Sequence, residues 1–324
     1  MKTQLIPNTD LVVSRLAYGL GMLNEDWRGQ GFMQRAIDGV RLALDMGITF
    51  FDTADIYGNG QSDMALGQFI RDAPSTRDGI VLQSKCGLRV RHGWIPTLPV
   101  GVDSIGTDLT AEHISESVEG SLRRLGTDRL DVLLLHAGSP LIQPAEVARA
   151  FDRLHSSGKV LHFGVSNHTV MQMELLQKDL DRPIVANQIW LSLLHHAAVS
   201  ETSSFGAMVD YCRLKDIQIQ SFSPLKGHDI FLKPEFSAGL GLSDGKSELL
   251  RDTLTQVAHR HNVDVPVVML AWLLRHPAGI IPVLGATSEK HIRDDCGALD
   301  VMLEESEWEV LLESAMREFP VRAN

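Results

Sequence analysis

Four polar side chains, far apart along the chain, stand where strand-like runs stop. Asp52 follows the β-branched and aromatic run Ile48-Thr49-Phe50-Phe51, and Tyr57 lies five residues on, in a polar loop bounded by Gly58 and Gly60. Lys85 closes the apolar run from Gly79, and His136 closes the run from Leu130. Ser166-Asn167 close a fourth run, from Val160. A phenol has a reference pKa of ~10 and is a poor acid or base near neutrality, but a neighbouring ammonium lowers that value by favouring phenolate. Lys85 can supply the charge, Asp52 can hold Lys85 protonated and oriented, and His136 can orient and polarise a carbonyl. Such a set suits delivery of a proton to oxygen while a hydride reaches the carbon, with Tyr57 as general acid in reduction and general base in oxidation. No side chain provides a hydride, so this chemistry requires a cofactor. Alone, Asp52 and Tyr57 read equally well as a loop cap and a half-buried ring.

The elements that must bring these groups together follow from periodicity. Lys2 to Ile6 and Leu11 to Ser14 read as a hairpin around Asn8 and Asp10. Strands are expected over Arg15 to Leu20, Ile48 to Phe51, Gly79 to Lys85, Leu130 to His136, Val160 to Asn167, Pro183 to Trp190, Ile217 to Phe222 and Gly279 to Leu284. Helical spacing separates them, as in Met33 to Met46 with Gly47 at its end, a helix capped at Ser62-Asp63, and Thr110 to Leu125. Strands apolar on both faces, each followed by a helix, require a parallel sheet covered by helices. About eight such units close a (β/α)8 TIM barrel. An open doubly wound sheet competes, but no Gly-x-Gly-x-x-Gly follows an early strand. No linker divides the chain, so residues 1–324 read as one domain, with an N-terminal β-hairpin cap and a C-terminal amphipathic helix from Glu304 to Arg317. In a barrel, the carboxyl ends of the strands share one mouth, which is where the four groups would meet.

Composition narrows the function classes. Thirty Lys+Arg against 41 Asp+Glu give a net charge of -11, which argues against nucleic acid and anionic membrane surfaces as partners. Cys86, Cys212 and Cys296 stand in no metal-ligand spacing and point to a reducing compartment. With no apolar leader and no apolar run near ~18 residues, a cytoplasmic protein is expected. The oligomeric state is not legible.

The ordered set Phe51-Asp52-Thr53-Ala54-Asp55-Ile56-Tyr57-Gly58, Ser84-Lys85, Leu133-Leu134-Leu135-His136, Gly164-Val165-Ser166-Asn167, Asn187-Gln188 and Ser223-Pro224-Leu225 resembles the aldo-keto reductases over nearly the full length. The resemblance implies that Asp52, Tyr57, Lys85 and His136 are a catalytic tetrad acting on a small carbonyl or alcohol. It also implies that Ser166, Asn167 and Gln188 hydrogen-bond a nicotinamide carboxamide, that Phe222 stacks on the nicotinamide, and that Ser223 and Leu225 line the pyrophosphate path. Where many relatives carry a Lys and an Arg for a 2′-phosphate, this chain has Gly285 and His291. Thr287, Ser288, Lys290 and His291 can still hold a phosphate near a helix start, whereas Glu289 and Asp295 oppose it. NADP(H) is favoured and NAD(H) is the alternative.

Other readings of the same residues stay open. Lys85 can be the nucleophile of a Schiff-base aldolase, although Asp52 beside it favours the charged amine. A low-turnover, nicotinamide-binding regulatory subunit is the third. Cys86 to Asp108 and Gly227 to Lys246 read as specificity loops, with Trp94, Ile95, Leu98, Phe231, Phe236 and Leu240 as substrate contacts or rim anchors. Trp27 and Ile56 are pocket-wall candidates, and an apolar wall favours aromatic, aliphatic or alicyclic carbonyls over phosphorylated sugars. Bland roles are expected for His195-His196 (a solvated loop), Cys86 (packing), Asp131 (a strand start), and Trp272 and Trp308 (core).

Overall fold

The computed structural model describes residues 1–21, 31–91, 104–200, 207–225 and 244–316. Trp27, Trp94, Ile95, Leu98, Phe231, Phe236 and Leu240 lie outside the described residues. The chain opens with an antiparallel hairpin of β1 (Thr3–Leu5) and β2 (Val12–Ser14). Then come β3 (Ala17–Gly19), α1 (Phe32–Asp45), β4 (Phe50–Asp52), α2 (Gln61–Asp72) and β5 (Val81–Cys86). A second antiparallel hairpin, β6 (Leu88–Arg91) and β7 (Ser104–Thr107), leaves the chain after β5 and leads into α3 (Ala111–Leu125). The alternation resumes with β8 (Leu130–Leu135), α4 (Pro144–Ser156), β9 (Val160–Ser166), α5 (Val170–Gln177), β10 (Ile184–Trp190), α6 (Ala207–Leu214) and β11 (Gln218–Phe222). The order ends with α7 (Asp244–His261), α8 (Val265–Arg275), β12 (Ile281–Leu284), α9 (Glu289–Gly297) and α10 (Glu305–Ala315).

Strands β3, β4, β5, β8, β9, β10, β11 and β12 pair in parallel in that order, and β12 closes on β3. The (β/α)8 barrel expected from the eight-fold alternation is therefore the fold. Strand alternation sorts the core into two parts. Ala17, Phe50, Val81, Val132, Leu134, Ala186 and Val283 form the barrel interior, and Ile6 and Val13 of the opening hairpin join them, so the hairpin plugs the amino-terminal end. The intervening residues Leu16, Tyr18, Phe51, Leu82, Leu133 and Leu135 pack outward under the helices. Each helix presents one apolar stripe to that layer, as α1 does with Phe32, Ala36, Ile37, Val40 and Ala43. The Thr110 hydroxyl accepts from His113 N at the start of α3, and Gly126, at φ 67°, ends it.

Some local expectations change. The residue capping α2 is Gly60, while the Ser62 hydroxyl is buried and donates to Leu20 O at 3.1 Å, tying α2 to the end of β3. The ends of the expected loop from Cys86 to Asp108 pair as β6 and β7. His195 and His196 are not a solvated loop. The His195 ring stacks on Trp190 with centroids 4.0 Å apart, and His196 Nε2 lies 3.3 Å from Ala315 O. Trp272 is buried and stacks on Trp308 at 5.0 Å, as core residues.

Asp131 does more than begin β8. Its carboxylate is 2.9 Å from the buried Arg77 guanidinium and accepts Leu82 N at 2.7 Å, which ties β5, β8 and the turn before β5 together. Removing one partner of a buried ion pair costs about 3–5 kcal/mol, because the other charge stays desolvated and alone. Asp131→Ala is expected to lose stability on that scale, read as a lower midpoint in urea unfolding. A midpoint equal to the parent's would show that Arg77 finds water or another acceptor.

Candidate active site

Asp52 ends β4, Lys85 is the penultimate residue of β5, and His136 directly follows β8. On each of these strands, alternation aims the side chain into the barrel near its carboxyl mouth. Tyr57 arrives from the loop after β4, where Gly58 and Asn59 adopt left-handed backbone at φ 55° and 54° and turn the chain sharply over the mouth. Gly21 lies beneath the phenol, where a Cβ would come within 3.1 Å of Tyr57 Cζ.

Lys85 is the hub. Its Nζ donates to Asp52 Oδ2 at 2.5 Å, to Thr53 O at 3.0 Å and to Tyr57 Oη at 3.2 Å. The Tyr57 and His136 rings meet edge to face with centroids 5.6 Å apart. Burial alone would lower the Lys85 pKa, but Asp52 and then Tyr57 outweigh it, so the ammonium is raised above its ordinary value and stays charged. For Tyr57 the expectation needs correction. Lys85 does act to lower the phenol, but burial acts more strongly and Asp52 adds to it, so the net direction is upward. The group is therefore a protonated phenol at rest, a weaker acid than a free phenol, and it depends on Lys85 to stabilise the phenolate once the proton has left. Burial, and then the charge of Lys85, lower His136 to about 3, so the ring is neutral across the physiological range. His136 Nδ1 is buried without a hydrogen-bond partner among the described residues.

The loop that carries Tyr57 also contains Asp55, whose Oδ1 is buried without a hydrogen-bond partner among the described residues. Burial raises its pKa to about 7, helped by Asp63 and opposed by a hydrogen bond from Ser117 and by Arg124. A carboxyl whose folded pKa lies above its unfolded value stabilises the fold at low pH, and that contribution is lost as pH rises through about 7. Asp55→Asn mimics the neutral form. Its stability relative to the parent is expected to rise from pH 4 and level off above about 7, as measured by urea unfolding at several pH values. A difference independent of pH would remove this assignment.

The other expected site residues cluster at neighbouring strand ends. Ser166 ends β9 buried, and its hydroxyl accepts from Asn167 Nδ2 at 3.2 Å. Asn167 is exposed and left-handed at φ 55°, and its N donates to Gln188 O at 3.0 Å. Phe222 ends β11 and Ser223 follows, half-buried and left-handed at φ 50°. Leu225 packs partly buried against the outer core. Thr287, Ser288, Lys290 and His291 are exposed together between β12 and the first turn of α9. The Ser288 hydroxyl caps α9 by accepting from His291 N at 3.3 Å, and Lys290 Nζ lies on Asp294 at 2.5 Å.

Gln188 can meet a carboxamide only through its Oε1. Its Nε2 is turned into the barrel, donating to Asp52 Oδ1 at 3.0 Å and to Gln220 Oε1 at 2.9 Å, so both amide hydrogens are committed beneath the mouth. Gln83, Gln220 and Trp190 went unnoticed in the sequence. The signal was parity, since Gln83 is two residues before Lys85 on one strand face, Gln220 two before Phe222, and Trp190 two after Gln188. Among the described residues, no cluster of His, Cys, Asp or Glu is placed to hold a metal ion, and no helix is long and apolar enough to cross a membrane.

Comparison with known proteins places the chain in a family. The model of the Aldo/keto reductase family matches residues 15–315. A 6-dehydroglucose reductase of Agrobacterium fabrum is 36% identical over 303 residues, covering 92% of this chain and 93% of that protein. An NADH-specific methylglyoxal reductase of Escherichia coli is 27% identical, covering 97% of this chain and 98% of its own length. The same barrel is seen in an aldo-keto reductase from Klebsiella pneumoniae solved with NADPH, at TM-score 0.74 and 24% identity over 98% of this chain and 96% of that one. Since the family model spans most of the sequence and a relative above one-third identity aligns along nearly all of it, this chain belongs to the aldo/keto reductase family.

Proposed function

We propose that this oxidoreductase reduces an aldehyde or ketone to the alcohol, and runs the reverse reaction, with Tyr57 as proton donor and NADP(H) as the favoured cofactor. The observation that carries the reading is the Lys85 ammonium lying between Asp52 Oδ2 at 2.5 Å and Tyr57 Oη at 3.2 Å. The donor set fits a nicotinamide. Ser166 and Asn167 offer a hydroxyl and an amide to a carboxamide, and Phe222 offers a flat apolar face on the next strand but one. A dinucleotide held there would supply the hydride that the carbonyl carbon needs. Tyr57, protonated because it is buried, gives its proton to the carbonyl oxygen. Lys85 remains charged and stabilises the phenolate left behind, while the neutral His136 ring orients the carbonyl oxygen. A neutral imidazole gives no ionisation between pH 5 and 8, so activity is expected to show no His136 limb there, as read from kcat against pH.

Two relatives reduce small oxo compounds by their names, which supports the carbonyl class. Thr287, Ser288, Lys290 and His291 would hold the 2′-phosphate of NADP(H). Lys290 already shares its charge with Asp294, and the Escherichia coli relative is NADH-specific, so NAD(H) remains the alternative. Titrating the protein with NADPH and NADH by fluorescence, then assaying a panel of aldehydes and ketones, tests the reading. Tighter binding of NADPH and carbonyl-dependent oxidation of it are expected. Binding with no turnover across the panel would instead favour a regulatory subunit. A Schiff base at Lys85 needs a neutral amine, and three acceptors hold this one protonated. Borohydride with a carbonyl is therefore expected to leave the mass of the protein unchanged, and a trapped adduct on Lys85 would revive the aldolase reading.

A further inference from the structure

Three glutamines sit in the barrel directly under Asp52. Gln83 comes from β5, Gln188 from β10 and Gln220 from β11, and all three are buried. Gln83 Nε2 donates to Asp52 Oδ1 at 2.6 Å and to Gln220 Oε1 at 2.7 Å. The Gln188 nitrogen makes the same pair of contacts, and Gln220 Nε2 returns a hydrogen bond to Gln83 Oε1 at 2.8 Å. The orientation of every amide follows from one fact. A carboxylate only accepts, so Gln83 and Gln188 must face it with nitrogen, and Gln220 must then face them with oxygen.

Val81, Val132 and Ala186 beside them are apolar, and apolar side chains of similar volume would fill the three positions without any need for partners. What the amides add is direction. Asp52 Oδ1 receives two N–H groups, which leaves Oδ2 turned to Lys85, and Lys85 in turn reaches Tyr57. Any rotation of the carboxylate would move the ammonium that meets the phenol.

We propose that Gln83 and Gln220 are positioning residues of the proton-transfer step, holding the Asp52 carboxylate from below so that its second oxygen stays on Lys85. This rests on the reading of Tyr57 as proton donor. Neither residue touches the reacting groups directly; Gln83 acts through Asp52, and Gln220 acts on Asp52 through Gln83 and Gln188.

The test is a double-mutant cycle of Gln83→Met with Asp52→Asn. Methionine keeps the volume and removes the donor. Measurements are kcat and its pH profile, KM for the carbonyl, Kd for NADPH by fluorescence, and the melting temperature. A misplacement passed along the Asp52–Lys85–Tyr57 chain is expected to lower kcat by about 10- to 10²-fold and to shift its pH profile. Both KM and Kd should stay within about twofold, and in the Asp52→Asn background Gln83→Met should change kcat by less than about twofold. If Gln83→Met does not fold, Gln220→Met, which removes the acceptor shared by both amide nitrogens, is read in the same way. A kcat within about twofold of the parent, or an equal loss in both backgrounds, would overturn the proposal while leaving the reductase reading intact. A parent protein that binds NADPH and turns over no carbonyl would remove both.

Discussion

Tyr57→Phe is expected to lower kcat for carbonyl reduction by about 10²- to 10⁴-fold, the range for losing a positioned general acid, while NADPH binds as before. The ring stays, so its packing over Gly21 and against the His136 ring is kept, and only the hydroxyl is removed. No other phenol can replace it. Tyr18 is buried on the outer side of β3 with its hydroxyl on Ala286 O, and Tyr211 lies in α6 with its hydroxyl on Glu174. Burial pushes the Tyr18 phenol up to about 12. The assay is steady-state oxidation of NADPH by an aldehyde, with the cofactor Kd measured on the same sample. Activity near that of the parent would mean the proton comes from elsewhere, and the role given to Lys85 would fall with it.

Lys85→Met is expected to fail on two readouts together. The charge that stabilises the phenolate disappears, so kcat should fall at least as far as for Tyr57→Phe. Asp52 is also left buried without its counter-charge, with only the amides of Gln83 and Gln188 on Oδ1. Breaking a buried pair in this way costs about 3–5 kcal/mol, which a urea midpoint will register. Lys85→Met with Asp52→Asn removes both charges and should recover much of that stability while staying inactive. Stability and activity separate in the pair of variants. If the double variant is as unstable as the single one, the Asp52 charge is not the source of the loss.

Most of the barrel was legible because the strands buried on both faces announce themselves as short apolar runs, and each is followed by an amphipathic helix. The positions of Asp52, Lys85 and His136 came from the same signal, since each ends such a run. What stayed hidden was whatever depends on approach in space. Gln83 and Gln188 are 105 positions apart by their numbers and meet only because β5 and β10 face each other across one cylinder. The direction of the Tyr57 pKa was missed for a related reason, because proximity to Lys85 was legible as a possibility whereas the depth of burial was not. The β6 and β7 hairpin escaped because glycines and prolines between its arms read as loop. Ser62 looked like a helix cap by residue type, yet Leu20 O claims its hydroxyl.

The central claim is that hydride transfer to a carbonyl carbon and protonation of its oxygen by Tyr57 occur together at this mouth. NADPH carrying deuterium at nicotinamide C4 (on the face that transfers), incubated with an aldehyde substrate in ordinary water, tests it most directly. The alcohol formed by the parent protein is expected to carry that deuterium at its carbinol carbon, seen by NMR or mass spectrometry, and Tyr57→Phe should bind the same cofactor and yield almost none. Alcohol whose carbinol hydrogen comes from water, or a Tyr57→Phe variant that transfers deuterium as fast as the parent, would contradict it.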